Sequence, residues 1–128
     1  MSEMKYQSPV VNPETKPFWD ATAEGKFLLK KCNDCGEFHY YPRALCPFCF
    51  SDKTEWVESK GTGTVYTHST MRRAPVPFCL AYVTLDEGPT MMTHIVDCDL
   101  EQVAIGKPVK LVLKETDGDA KLPCFTLA

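Results

Sequence analysis

Four cysteines crowd one short stretch, KKCNDCGEFHYYPRALCPFCF, residues 30–50. Cys32 and Cys35 make one Cys-x-x-Cys pair, and after a gap of ten residues Cys46 and Cys49 make a second. Such a turn points two sulfurs at one place, and its backbone amides can hydrogen-bond the thiolates. Two turns brought together by a hairpin build a tetrahedral all-sulfur site suited to zinc at about 2.3 Å from each sulfur. The gap is shorter than the usual spacing of roughly 15–20 residues, yet long enough for the chain to fold back. A site closed by four cysteines has no open coordination position, so the zinc is expected to staple the fold and to take no part in catalysis. Three readings compete with zinc. Iron fits the same tetrahedral sulfur set. A redox dithiol normally uses a single Cys-x-x-Cys at a strand–helix junction. Disulfides depend on an oxidising compartment. His39 lies between the two knuckles and could replace a ligand, but an exposed histidine on the ribbon is the expectation.

The elements around the knuckles must position them. EFHYYPRAL, between the pairs, suits a short β-ribbon with a Pro-containing turn. Upstream, NPETKPFWDATAEGKF reads as a short helix begun by Pro13 or Pro17 and ended by Gly25. Phe18, Trp19 and the 21–23 stretch give that helix an apolar stripe. Two uses of the stripe stay open: packing on its own domain, or an arm in which Phe18 and Trp19 dock on a partner.

Downstream of Cys49 the pattern changes to short runs rich in Val, Thr, Tyr and Phe: GTGTVYTHSTMRR, FCLAYVTLDEG, TMMTHIVDCD, KPVKLVLKET and LPCFTLA. Turn residues separate them, among them Ala74-Pro75-Val76-Pro77, Glu87-Gly88-Pro89 and Gly106-Lys107-Pro108. Regular short strands with this punctuation predict a small antiparallel barrel, and five strands in about 70 residues match an OB-fold in size. LEQVAIG would bridge the third and fourth strands. The expected organisation is mainly β: an N-terminal helical arm over 1–26, a zinc ribbon over 27–58 and a five-stranded OB-fold barrel over 59–128.

Bulk properties narrow the function classes. The chain has 128 residues and a formal charge of −3. Residues 1–60 carry 8 basic and 9 acidic side chains, and residues 61–128 carry 6 and 8, so neither half is a basic footprint for nucleic acid. MSEMKYQSPV lacks the apolar run of a secretory signal, and no apolar stretch approaches the ~20 residues of a membrane span. The expectation is a cytoplasmic protein with no membrane partner, where thiols stay reduced and paired cysteines favour metal over disulfides.

The order of these details resembles the DUF35 family, which combines an N-terminal helix, a rubredoxin-like zinc ribbon and a C-terminal OB-fold often called acyl-CoA-associated. The matching residues are PFWDATAEGKFLLKKCNDCGEFHYYPRALCPFC, then EWVESKGTGTVYTHSTM, LAYVTLDEG, IVDCD, AIGKPVKLV and LPCFTLA. The cysteine spacing with Tyr41-Pro42-Arg43 and the Gly-Thr-Gly-x-Val-Tyr entry to the barrel are the most specific of them. The resemblance implies a small partner subunit of thiolase-superfamily enzymes, in which the thiolase-like chain supplies the catalytic residues. It also implies a role for this chain in assembly and in shaping an acyl-CoA channel. Acetyl-CoA acetyltransferase complexes and the benzoylsuccinyl-CoA thiolases of anaerobic aromatic degradation are contexts that it suggests.

The remaining inventory favours such a role over standalone catalysis, and no catalytic residue is assigned. Cys79, Cys98 and Cys124 and the histidines His68 and His94 form no recognisable nucleophile–base motif. There is no paired-carboxylate motif, phosphate loop or open metal motif. Cys79, within FCLAYVTL, is expected to be a buried small apolar residue. Arg72 and Arg73 suit CoA phosphates, because guanidinium forks bind them bidentately. They are candidate contacts to CoA or a partner together with Phe78, with a solvated loop as the plain alternative. Met91 and Met92 must face opposite sides of one strand, one to the core and one outward. The second function class is a single-stranded nucleic-acid-binding protein, with Tyr66 and Tyr82 stacking bases. The acidic balance argues against it.

Overall fold

The computed structural model describes residues 5–128. The first four residues of the expected 1–26 arm lie outside the described residues. Helix α1 (Lys16–Ala23) follows a turn in which the Thr15 amide donates to Asn12 Oδ1 at 3.0 Å. It carries a proline in its first turn, where a missing N–H costs nothing. Its end is closed by Gly25, at φ +89°.

A three-stranded antiparallel sheet comes next, in the order β2 (Phe38–His39), β1 (Leu28–Cys32), β3 (Thr54–Glu58). The second strand is only two residues long, so most of the segment expected as ribbon runs as an irregular loop ahead of Cys46. TEWVE, the run after the second knuckle, pairs along the whole of β1, from Leu28 opposite Glu58 to Cys32 opposite Thr54.

The remaining strands close a barrel: β4 (Thr62–Met71), β5 (Phe78–Leu85), β6 (Thr90–Ile95), β7 (Pro108–Glu115) and β8 (Lys121–Leu127), in the spatial order β4-β5-β6-β8-β7. A 3-10 turn over Leu100–Gln102 bridges β6 and β7, where LEQVAIG was expected to do so. The period-2 alternation is plain in β5, where Cys79, Ala81, Val83 and Leu85 point into the core. Closure needs Gly63: a Cβ there would lie 2.6 Å from the Thr84 carbonyl oxygen and 2.9 Å from Val83. A bulge between Val65 and Thr67 then lets β4 curve round the barrel. The OB-type barrel and the mainly β class are as expected from the strand pattern.

One apolar core joins the two parts. Phe18, Trp19, Phe27 and Leu29 from the helix and ribbon pack in the same cluster as Val65, Val83, Ile95 and Phe125 from the barrel. Phe18 meets Phe27 at 6.0 Å between ring centroids, and Phe27 meets Phe125 at 6.4 Å, both edge to face. Of the two uses foreseen for the aromatic stripe, the structure realises the inward one. Phe18 and Trp19 are buried against their own chain, so the docking-arm expectation is corrected. Leaving both rings in water would cost about 2–3 kcal/mol each, and the Phe27–Phe125 surface is there to receive them. The hydroxyl of buried Thr22 fastens the helix further, donating to the Trp19 carbonyl at 2.7 Å and accepting from the Lys121 amide at 3.1 Å.

Candidate metal centre and outer surfaces

The two knuckles face each other. The end of β1 carries Cys32, and the turn after it returns through Cys35 to Gly36, whose amide donates to the Cys32 carbonyl at 2.9 Å. The second knuckle repeats the device: the Phe50 amide donates to the Cys46 carbonyl at 2.8 Å. Pairing of β1 with β3 brings the segments together, with Asn33 N–H on the Lys53 carbonyl at 2.7 Å. The four sulfurs lie within 4.8 Å of one another, with Cys32–Cys49 and Cys35–Cys46 at 3.6 Å. A bonded disulfide requires about 2.05 Å. A tetrahedron with zinc–sulfur bonds of about 2.3 Å has sulfur–sulfur edges near 3.8 Å.

Electrostatics agree with this fit. The Cys35 amide reaches Cys32 Sγ at 3.5 Å and the Phe48 amide reaches Cys46 Sγ at 3.4 Å. The first of these does most to draw the Cys32 thiol down to about 7. Cys35 is pushed up to about 12: the Glu37 amide pulls it down, but burial and the neighbouring sulfurs outweigh that pull. Four thiolates at this spacing therefore require a cation, and the soft sulfur set with a closed geometry suits zinc. Cys32, Cys35, Cys46 and Cys49 are positioned to bind a metal ion and fit the structural zinc of a zinc ribbon, which would supply a crosslink between the knuckles.

His39 is no ligand, and it is not exposed as expected. The loop over residues 40–44 folds across it, leaving the residue 6% exposed. Its Nε2 accepts the Arg43 amide at 3.4 Å, while Nδ1 has no partner among the described residues. Burial first, then the charge of Lys30, lowers its pKa and keeps it neutral. Glu14 holds the same loop from the helix side, accepting the Ala44 amide at 2.6 Å. Neither Glu14 nor Thr22 was singled out from sequence, because a carboxylate or hydroxyl that bonds a distant amide leaves no local pattern.

The other candidates lie on the barrel. Arg72 is engaged by Glu101 through two bonds of 2.7 and 3.1 Å, and Arg73 is exposed without an ion-pair partner among the described residues. Phe78 is half-buried against His94, at 5.7 Å between ring centroids. Cys79 and Cys124 are buried, and burial pushes the Cys124 thiol up to about 12, which keeps it protonated. Met91 is in the core and Met92 is exposed, as the strand parity required. Tyr66 and Tyr82 are both exposed.

A four-cysteine ribbon packed through a shared core onto a closed five-stranded barrel defines a zinc-ribbon/OB-fold protein. Residues 19–55 match the family described as ChsH2, rubredoxin-like zinc ribbon domain, and residues 56–114 match ChsH2, C-terminal OB-fold domain. The chain belongs to the DUF35 family: it is 38% identical over 99 residues to a DUF35 domain-containing scaffold protein of Methanocaldococcus jannaschii, covering 70% of each chain. It is also 30% identical over 122 residues to a probable enoyl-CoA hydratase alpha subunit of Thermomonospora curvata. That match takes in 91% of this chain but only 38% of the relative's length. Among solved structures, a chain of the Ltp2-ChsH2(DUF35) aldolase superposes with a TM-score of 0.82 at 29% identity, covering 94% of this chain and 98% of that one.

Proposed function

We propose that this protein is a non-catalytic, zinc-stapled subunit that assembles with a thiolase-like acyl-CoA enzyme and helps to form its acyl-CoA channel. The observation that carries the reading is the near end-to-end match to a chain of the Ltp2-ChsH2(DUF35) aldolase, a name that joins a second component to the DUF35 one. The closed four-cysteine site fits it, since such zinc holds shape and offers no position to substrate. On this reading the chain works in the cytoplasm, where its thiolates stay available to zinc. Arg73 and Phe78, at the end of β4 and the start of β5, would on this reading meet CoA or the partner, whereas Arg72 would first have to release Glu101. Against nucleic acid stands the surface around Tyr66 and Tyr82: no residue of β4, β5 or β6 is Lys or Arg, so stacked bases would find no cation for their phosphates on those strands.

The test is affinity purification of the tagged full-length chain from its own cells, with mass spectrometry of what accompanies it. The expected result is a stoichiometric thiolase-superfamily chain whose acyl-CoA activity depends on this protein being present. Recovery of this protein alone, in mild salt with acyl-CoA added, would overturn the reading.

A further inference from the structure

Three neighbouring barrel strands carry no charge. None of the 10, 8 and 6 residues of β4, β5 and β6 is Asp, Glu, Lys or Arg, in a protein where such residues make up 24%. Burial explains the inward side chains but not the outward ones. The outer row across the sheet runs Thr67, Tyr82, Met92, with Ser69, Leu80, His94 beside it on one side and Thr84, Thr90 on the other. Tyr66, lifted out by the bulge, is 66% exposed, Tyr82 46% and Met92 59%. Exposed Tyr and Met in a charge-free centre are the composition of a protein interface core. The rim is charged, as interface rims are: Arg72, Arg73 and Glu101 at one end of β4, and Asp86 and Glu87 at the other. β5, in the middle, is paired along both sides, whereas β4 meets β7 only over Thr62–Thr64 and β6 meets β8 only at Ile95–Phe125, so the centre of this face can be reached through side chains alone.

We infer that this outer face of β4, β5 and β6 is where the acyl-CoA enzyme subunit docks, centred on Tyr66, Tyr82 and Met92. The inference rests on the assembly reading above and specifies its surface. The occupant follows from shape and charge. Three strands at ~4.8 Å spacing and about eight residues at ~3.3 Å present roughly 350 Å² of projected face. That is under half of the ~800 Å² per partner that a standard interface buries. A second barrel, equally convex, would touch only along the middle. A larger subunit with a flat or concave uncharged surface covers the whole face and continues beyond it. Where it passes Arg73, the cation that Glu101 leaves uncompensated, it should bring a carboxylate.

The enzyme subunit recovered with the full-length chain is produced separately, and its Kd is measured against wild type, Tyr82→Arg, Met92→Arg, Arg73→Glu and Lys110→Glu. Both central positions are exposed, so unchanged zinc content and circular dichroism will show that the fold persists. The expected result is a loss of about 10-fold or more for each central arginine. Arg73→Glu should mainly slow association at low salt, and Lys110→Glu on β7 should change little. Wild-type affinity in the Tyr82 and Met92 variants would overturn the docking face and leave the assembly reading standing. No binding by wild type would remove both. Self-association of wild type that Tyr82→Arg disperses would assign the face to a second copy and overturn the inference. Oligothymidine binding lost in the same variant would overturn it in favour of nucleic acid.

Discussion

Gly36 and Phe50 hold the same place in the two knuckles: each follows the second cysteine, donates its amide to the carbonyl of the first, and sits at positive φ, +77° and +64°. The left-handed region suits glycine and costs other L-residues roughly 1–2 kcal/mol. The Phe50 ring recovers little of this, being 76% exposed. Phe50→Gly should therefore stabilise the zinc-loaded protein by about 1 kcal/mol. The check is a thermal melt at saturating zinc, with an unchanged metal content. A fall in Tm would mean that the ring makes contacts worth more than the strain.

The two knuckles were readable from spacing because all four ligands lie within one short segment, and the barrel was readable from its alternating strands. What escaped the sequence depended on distant chain. The apolar character of Phe18 and Trp19 demanded cover, but the cover includes Phe125, placed by the last strand. The burial of His39 depends on an irregular loop pinned by Glu14. The charge-free runs of β4, β5 and β6 were visible one by one, and only the strand order turns them into one face.

Loss of one ligand should separate the halves of the molecule. Cys46→Ser should abolish stoichiometric zinc and unfold residues 30–55. The binding energy lost is of the order of 10–16 kcal/mol for a structural site of this type. The barrel hydrogen bonds do not pass through the ribbon, so β4–β6 should keep slow amide exchange. Helix α1 and β8 should lose part of their protection, because Phe18 and Phe27 form one cluster with Phe125. Hydrogen exchange with mass spectrometry reads both. Stoichiometric metal in the variant would show that the ligand set is wrong.

Thr22→Val keeps the shape of a fully buried side chain and removes its hydroxyl. The Lys121 amide then loses the acceptor that the structure gives it at 3.1 Å. That donor is part-buried, so its loss should cost about 1 kcal/mol, the low end for an unsatisfied group, and Tm should fall by a few degrees while zinc content stays whole. Thr22→Ser, which retains the hydroxyl, should recover part of the loss. Equal melting of the Val variant and wild type would mean that this bond contributes nothing to holding the helix on the barrel.

His94 should make the fold weaker in mild acid. Its ring stands between Tyr6 and Phe78, at 5.3 and 5.7 Å, and burial lowers its pKa from the ordinary 6.5. As pH falls through about 6.5 the unfolded chain takes up the proton first, so stability declines until the folded pKa is passed. Above that window this group has no effect. One such proton changes stability by at most about 1.4 kcal/mol per pH unit. His39, also lowered by burial, acts in the same sense, and zinc release by thiolate protonation adds to both at lower pH. His94→Phe isolates the term, since it keeps a flat ring between Tyr6 and Phe78 and cannot titrate. Melts of both proteins between roughly pH 5 and 8, with zinc measured at each point, should diverge only below about 6.5, the variant losing less. Parallel curves throughout would show that His94 titrates alike in the folded and unfolded chains.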